Sequence, residues 1–286
     1  MINKIKYLLV SSRPISWINT AYPFAAGYLL TIREVDAIFI IGSLFFLIPY
    51  NLLMYGINDV FDYESDMQNP RKGGIEGALL AKSQHRTVII AATVLSLPFT
   101  IYLLALSTRP WGVIALLGVI FLVLAYSVPK LRFKERPFID SMTSSAHFVG
   151  PLLYALTFSD FTSSYAYMMA AFFLWGMASH AFGAVQDIVA DKKGKIASVA
   201  TIIGAKQTVR LSIVLYSISA IVLLHFGWIG LIIAVTEMLY VVSIWPYRSI
   251  SEADAEQANS GWKRFIALNW FSGFVITMVL IYVFIN

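Results

Sequence analysis

The chain predicts an all-α, polytopic membrane protein, and three observations carry that expectation. Of its 286 residues, 58% are hydrophobic and only 13% charged, against about 25% charged in ordinary soluble domains. The mean hydropathy of +0.73 has the same meaning. The apolar residues are also gathered into long stretches without a single charge, each at least as long as the roughly 18 residues that mark a helix able to cross a bilayer. This balance excludes a soluble globule, a disordered tail and a nucleic-acid module. Without cysteine there are no disulfides, thiolate metal sites or cysteine nucleophile.

The charge-free runs cover 14–32, 37–58, 87–108, 110–129, 141–159, 161–186, 211–236 and 265–286. The seventh continues past one charge, Glu237, to residue 247, which is enough for two short spans turning at His225-Phe226-Gly227-Trp228. Nine spans are therefore expected, in a single domain over 1–286. Ser11-Ser12-Arg13-Pro14 closes a short apolar run with no cleavage site after it, so the first span is expected to be retained. Lysine and arginine set the orientation. With nine spans and a cytoplasmic N-terminus, all the basic residues except Arg33 and Arg109 fall in inside segments, whereas eight spans would put Arg248, Lys263 and Arg264 outside.

The acidic residues are fewer and more informative. Asn58, Asp62 and Asp66 recur at i, i+4 and i+8 at the cytoplasmic end of the second span, with Asp59 beside them. On a continued helix they share a face, which Tyr55 and Asn51 extend into the membrane. Stacked carboxylates repel one another unless a divalent metal turns the repulsion into coordination, and an all-oxygen donor set suits Mg²⁺. Asp187 and Asp191, at the end of the sixth span, lie 129 residues after Asn58 and Asp62 with the same spacing. Two four-helix repeats plus one helix are expected, the acidic ends facing each other around one diphosphate. The cations nearby, Arg71, Lys72, Lys130, Arg132, Lys134, Arg136, Lys192, Lys193 and Lys195, suit diphosphate oxygens and a negative leaving group. They also fit a plain positive-inside signal. His147, His180 and Glu237 lie within spans, where ionisable groups are either paired inside the bundle or lining a reaction chamber.

These residues resemble the UbiA-type intramembrane prenyltransferases. Asn58-Asp59…Asp62…Asp66 matches that superfamily's NDxxDxxxD motif, Asp187…Asp191 its second DxxxD motif, and Tyr126-Ser127…Pro129-Lys130 its third landmark. The resemblance implies helices around a central, lipid-accessible chamber. It implies catalytic carboxylates at Asp62, Asp66, Asp187 and Asp191, and Mg²⁺ held by these with Asn58 and Asp59. Diphosphate would be bound by Arg71, Lys72, Tyr126, Lys130, Arg132 and Lys192.

A narrower resemblance is to the lycopene elongases of carotenoid-producing actinobacteria. It rests on Ser12-Arg13-Pro14-Ile15-Ser16-Trp17 and the residues through Phe24, on Asn69-Pro70-Arg71-Lys72-Gly73-Gly74, on the segment from Arg132 to Asp140, and on Leu174-Trp175-Gly176-Met177-Ala178-Ser179. It implies transfer of dimethylallyl groups from dimethylallyl diphosphate to the ends of lycopene, with proton loss or hydration, in the cell membrane beside other carotenoid enzymes. An aromatic or quinone-precursor acceptor is the alternative within the superfamily. A cation transporter fits less well, because transporter sites usually lie near the midplane.

Overall fold

The computed structural model describes residues 2–67 and 78–285, and all regular structure among them is helical. In order the helices are α1 (Ile2–Ser11), α2 (Ile18–Ile32), α3 (Ala37–Phe61), α4 (Lys82–Leu106), α5 (Pro110–Ser127) and α6 (Ile139–Leu156). They continue as α7 (Ser163–Val185), α8 (Ile188–Gly194), α9 (Val199–Ile203), α10 (Ala205–Leu223), α11 (Gly227–Ile244) and α12 (Asn259–Ile285). Six helical segments among the described residues are long and apolar enough to cross a membrane: α3, α4, α5, α7, the segment Ala205–Tyr247 that holds α10 and α11, and Ala255–Ile285 around α12. The protein is a multi-pass membrane protein.

The expected turn in the seventh apolar run is present. A short 3₁₀ turn at Leu224–Phe226 separates α10 from α11, and Gly227 has φ +63°, a conformation that favours glycine. Gly230 then lets α11 approach the Leu223 carbonyl, where a side chain would collide.

The chain forms two compact units, Met1–Phe133 with His147–Asp160 and Lys134–Ala146 with Phe161–Asn286. The core of the first is aromatic: Phe24, Tyr28, Phe45, Phe46, Tyr50 and Tyr154 are all fully or almost fully buried. Their rings meet at 5.2 Å for Phe24–Phe46 and for Phe46–Tyr50, in tilted and edge-on arrangements that suit ring quadrupoles. Gly42 allows the Phe24 ring to lie against the α3 backbone.

Helix α3 is interrupted within this core. Pro49 has no N–H to donate, and Ile48 bends away at φ −118°, ψ −62°. In an apolar surround the loosened carbonyls need other donors. Asn51 Nδ2 reaches the Phe46 and Leu47 carbonyls at 2.8 and 3.0 Å, and Thr20 Oγ1 donates to Phe46 at 2.7 Å. A π-helical turn follows at Leu52–Gly56, which inserts a residue relative to an ideal helix. The expected polar stripe from Asn51 through Tyr55 to Asn58 is therefore broken. Asn51 is tied to the kink, and Tyr55 lies beside Arg13 and Asp59.

In the second unit α7 packs on α10, and α11 on both α10 and α12. Phe182, Tyr216, Tyr240, Val241 and Ile244 form its core, and Trp262 stacks on Phe265 at 4.6 Å. Buried hydroxyls again find partners within the bundle. Ser219 donates to the Ala171 carbonyl at 2.7 Å, Ser179 and Tyr216 pair at 2.9 Å, and the Tyr240 hydroxyl lies between Asn269 at 2.8 Å and Ser272 at 3.0 Å.

Candidate active site

The first acidic motif sits where α3 ends. Asp62 takes φ −99°, ψ 0°, in the sparsely populated bridge region that recurs at active sites. A short helix, Tyr63–Asp66, then carries the chain on. Asn58 Nδ2 donates to Asp62 Oδ2 at 2.6 Å and to Ser127 Oγ, at the end of α5, at 3.0 Å. The motif's i, i+4 relation thus survives between Asn58 and Asp62. Asp62 and Asp66 are both buried.

The loop after α5 brings a cation to them. Lys130 and Arg132 adopt φ +76° and +38°, uncommon for side-chain-bearing residues. The turn delivers Arg132 Nη2 to 3.7 Å from Asp62 Oδ1, with Nη1 3.5 Å from the Phe61 carbonyl. Tyr126 sets its ring edge-on to His147 at 5.2 Å, and the His147 carbonyl accepts from the Tyr50 hydroxyl at 2.9 Å. Lys130 is exposed. Arg71 and Lys72 lie outside the described residues.

Asp59 has a different environment from its neighbours. Arg13 Nη2 donates to Asp59 Oδ1 at 2.9 Å, and the Ala78 amide donates to Oδ2 at 3.2 Å. The Arg13 guanidinium lies 4.3 Å from the centre of the Tyr55 ring, within cation–π range. Burial disfavours the charge on Arg13, yet Asp59 and the other anionic neighbours prevail and hold its pKa above the ordinary arginine value. Arg13 itself is in the left-handed region at φ +50°, so the contact is made through a strained entry to α2. Both Asp59 oxygens thus have protein donors. Counted by sign alone, Arg13 reads as a topology cation, and no local spacing links it to a residue 46 positions away.

The second motif straddles a helix break. Asp187 lies in the turn after α7, and its carbonyl accepts the Asp191 amide of α8 at 2.8 Å. Ser198 Oγ is 3.5 Å from Asp191 Oδ2. Lys195 closes α8 at φ +56°. Lys192, expected at a diphosphate, pairs with Glu252 at 2.6 Å on a half-exposed surface. Such a pair is worth at most about 1 kcal/mol, so an anionic ligand could draw the lysine away from it. Asp140 and Ser141 were not singled out by pattern. Asp140 is wholly buried and accepts from the amides of Ser141 at 2.7 Å and Val199 at 2.8 Å. Ser141 Oγ is 3.1 Å from His180 Nδ1. Glu237 is buried within α11.

Among the described residues no three carboxylates or imidazoles converge into a ready-made metal cage. The donors still suit Mg²⁺. The ion keeps several waters and takes one or two carboxylates with substrate phosphates, and the first motif offers buried oxygens from Asp62 and Asp66 beside Asn58.

Residues 20–281 match the model of the UbiA prenyltransferase family. The chain is 51% identical to the lycopene elongase/hydratase of Corynebacterium glutamicum (strain ATCC 13032), covering 98% of each protein. It is 45% identical to the C(50) beta-cyclic carotenoids biosynthesis protein LbtBC of Dietzia sp. (strain CQ4), covering 96% of this chain and 64% of that protein. In fold it is similar to a UbiA homologue from Archaeoglobus fulgidus bound to DMAPP and Mg²⁺, with a TM-score of 0.67 at 17% identity, covering 93% of this chain and 98% of that one. Motifs, fold and relatives agree, and the chain belongs to the UbiA prenyltransferase family of membrane enzymes.

Proposed function

We propose that the enzyme transfers dimethylallyl groups from dimethylallyl diphosphate to the ends of lycopene, giving carotenoids of up to fifty carbons, with hydration of the new end in some products. The observation that carries this reading is the 51% identity to a lycopene elongase/hydratase over nearly the whole of both chains. Nine crossings by α2–α7 and α10–α12, in two four-helix repeats plus one, complete the arrangement. The N-terminus and both motifs lie on the cytoplasmic side, supported by the side on which that count collects all but two of the lysines and arginines. Partnership with other carotenoid enzymes belongs to the same reading.

Asn58, Asp62, Asp66, Asp187 and Asp191 would hold Mg²⁺ and through it the diphosphate. When bound, the ion supplies Lewis-acid stabilisation of the negative leaving group. Asn58, anchored by Ser127, orients the Asp62 carboxylate. Arg132, already beside Asp62, offers planar N–H donors to phosphate oxygens, with Tyr126, Lys130, Arg71, Lys72 and Lys192 as further donors. Asp59 holds the Arg13 guanidinium and the Ala78 amide beside the motif. The apolar helices exclude water while the allylic cation lives, and the acceptor's terminal double bond reaches it from the bilayer.

The test is expression in a lycopene-accumulating host, with extracted pigments analysed by mass and the Asp62→Ala variant as control. Carotenoids one and two five-carbon units heavier than lycopene are expected from the wild type and not from the variant. A lycopene-only extract with the wild-type protein in the membrane would sink the assignment.

A further inference from the structure

Addition of an allylic cation to an alkene leaves a tertiary carbocation, and the reaction closes only when a proton leaves. The residues around His180 are arranged to take it. At the start of α6, Asp140 is fixed by the amides of Ser141 and Val199. Ser141 Oγ stands 3.4 Å from Asp140 Oδ1 and 3.1 Å from His180 Nδ1. A hydroxyl proton turned toward Asp140 would leave the Ser141 oxygen to receive Nδ1–H from the imidazole. In that direction the pair would hold the tautomer in which Nε2 is the basic nitrogen, as a carboxylate partner does for other catalytic histidines.

The placement on α7 agrees. Between Gly176 and Gln186 only Met177, His180, Gly183 and Ala184 keep open surface, and Gly183 lies against Trp262. His180 and Ala184 share a face of α7, and Asp187 follows in the turn after that helix, seven residues beyond His180. Seven residues at about 1.5 Å each keep the imidazole within roughly 10 Å of Asp187, a span comparable to a five-carbon diphosphate.

We propose that His180 is the proton acceptor that ends the reaction, with Ser141 and Asp140 as its positioning residues. The proposal rests on the alkene acceptor argued above. The allylic C–O bond breaks with its electron pair leaving on the diphosphate. The acceptor's π pair forms the new C–C bond and leaves a tertiary cation. A neighbouring C–H pair then closes a double bond as the proton moves to Nε2, or water adds through oxygen and passes its surplus proton to Nε2. The imidazolium returns that proton to solvent before the next turnover.

The test uses the full chain in membranes with Mg²⁺, lycopene and dimethylallyl diphosphate carrying oxygen-18 at the bridging position. His180→Asn keeps a side-chain nitrogen near Ser141 but supplies no base. Its product formation is expected to fall at least about 100-fold, the usual contribution of a positioned base, while scrambling of the label, which reports ionisation, continues. Ser141→Ala should lower product formation about tenfold, with Ser141→Thr restoring it, because the hydroxyl and not the packing sets the tautomer. Product formation in His180→Asn within threefold of wild type overturns the role, and so does scrambling that falls in step with product. A wild type that scrambles the label yet leaves lycopene unchanged overturns the acceptor reading and this inference with it. Conversion of lycopene by the wild type with an unimpaired His180→Asn variant overturns this inference alone.

Discussion

Replacing Arg13 with methionine removes one partner of a buried ion pair and leaves the other in place. The Asp59 side chain is fully buried and that of Arg13 is 16% exposed. At 2.9 Å and an effective dielectric of about 20, the gross attraction is about 6 kcal/mol. Much of that only offsets the cost of taking both charges out of water, so the pair's net worth is small. The single substitution is a different matter, because it keeps the Asp59 desolvation and discards its compensation. Breaking a buried pair in this way costs about 3–5 kcal/mol, and Arg13→Met is expected to fall in that range by denaturant unfolding in detergent micelles. Arg13→Met/Asp59→Leu should recover most of the loss, since it removes both charges. With Asp59 as an anchor, Asp59→Asn loses no more than about 10–100-fold in Mg²⁺-dependent turnover, the scale of a supporting residue, while Asp62→Asn loses more. A cost below about 1 kcal/mol for Arg13→Met, or a double variant as unstable as the sum of the singles, would refute the reasoning. So would a folded Asp59→Asn as inactive as Asp62→Asn.

Two further outcomes test the framework around the site. Gly42→Ala drives a methyl group into the Phe24 ring, which is wholly buried among Tyr28, Phe46 and Tyr154. Overpacking of this kind costs about 1–3 kcal/mol, and Phe24→Leu in the same chain should return part of the stability measured by unfolding. Asp36 caps α3 by accepting the Phe39 amide at 2.8 Å and the Tyr28 hydroxyl at 2.7 Å. Burial pushes its pKa up, but these donors prevail and hold it below the usual carboxylate range. The folded value is the lower one, so the contribution is complete above the unfolded pKa near ~3.9 and is lost as pH falls through the folded value. Asp36→Ala should cost about 1 kcal/mol at neutral pH, and its deficit against wild type should shrink in unfolding measurements toward pH 2. A deficit that grows as the pH is lowered would show the sign to be wrong.

How far the sequence could be read followed from the range over which each signal acts. The Asn58–Asp62 spacing translates directly into a hydrogen bond because it lies within one regular turn. The same periodicity, extended back to Tyr55 and Asn51, fails across the π-helical turn, where an extra residue rotates everything before it. Pro49 was visible, but the donors that would mend the break it causes were not. The turn after α10 was legible because a 37-residue apolar run cannot be one ordinary span, and Gly227 offers the left-handed backbone that ends a helix sharply.

Contacts between distant residues carry no such local mark. Arg13 and Asp59 are 46 residues apart, and Asp140 and Val199 are 59 apart. Charge counting places Arg13 among the cations of the expected inside segments and for that reason assigns it no further work. The two roles are not alternatives. A cation retained on the cytoplasmic side by the positive-inside rule is available, at no additional topological cost, to neutralise a buried carboxylate nearby. The same holds for Arg132 beside Asp62. In a chain with only 13% charged residues, each charge near a helix end therefore has to be asked which anion it faces before it is counted as topology. The acidic motif has to be divided in the same way. Asp59 faces a guanidinium and can serve as structure, while Asp62 and Asp66, with Asn58 alongside, keep the donor set that suits a divalent ion.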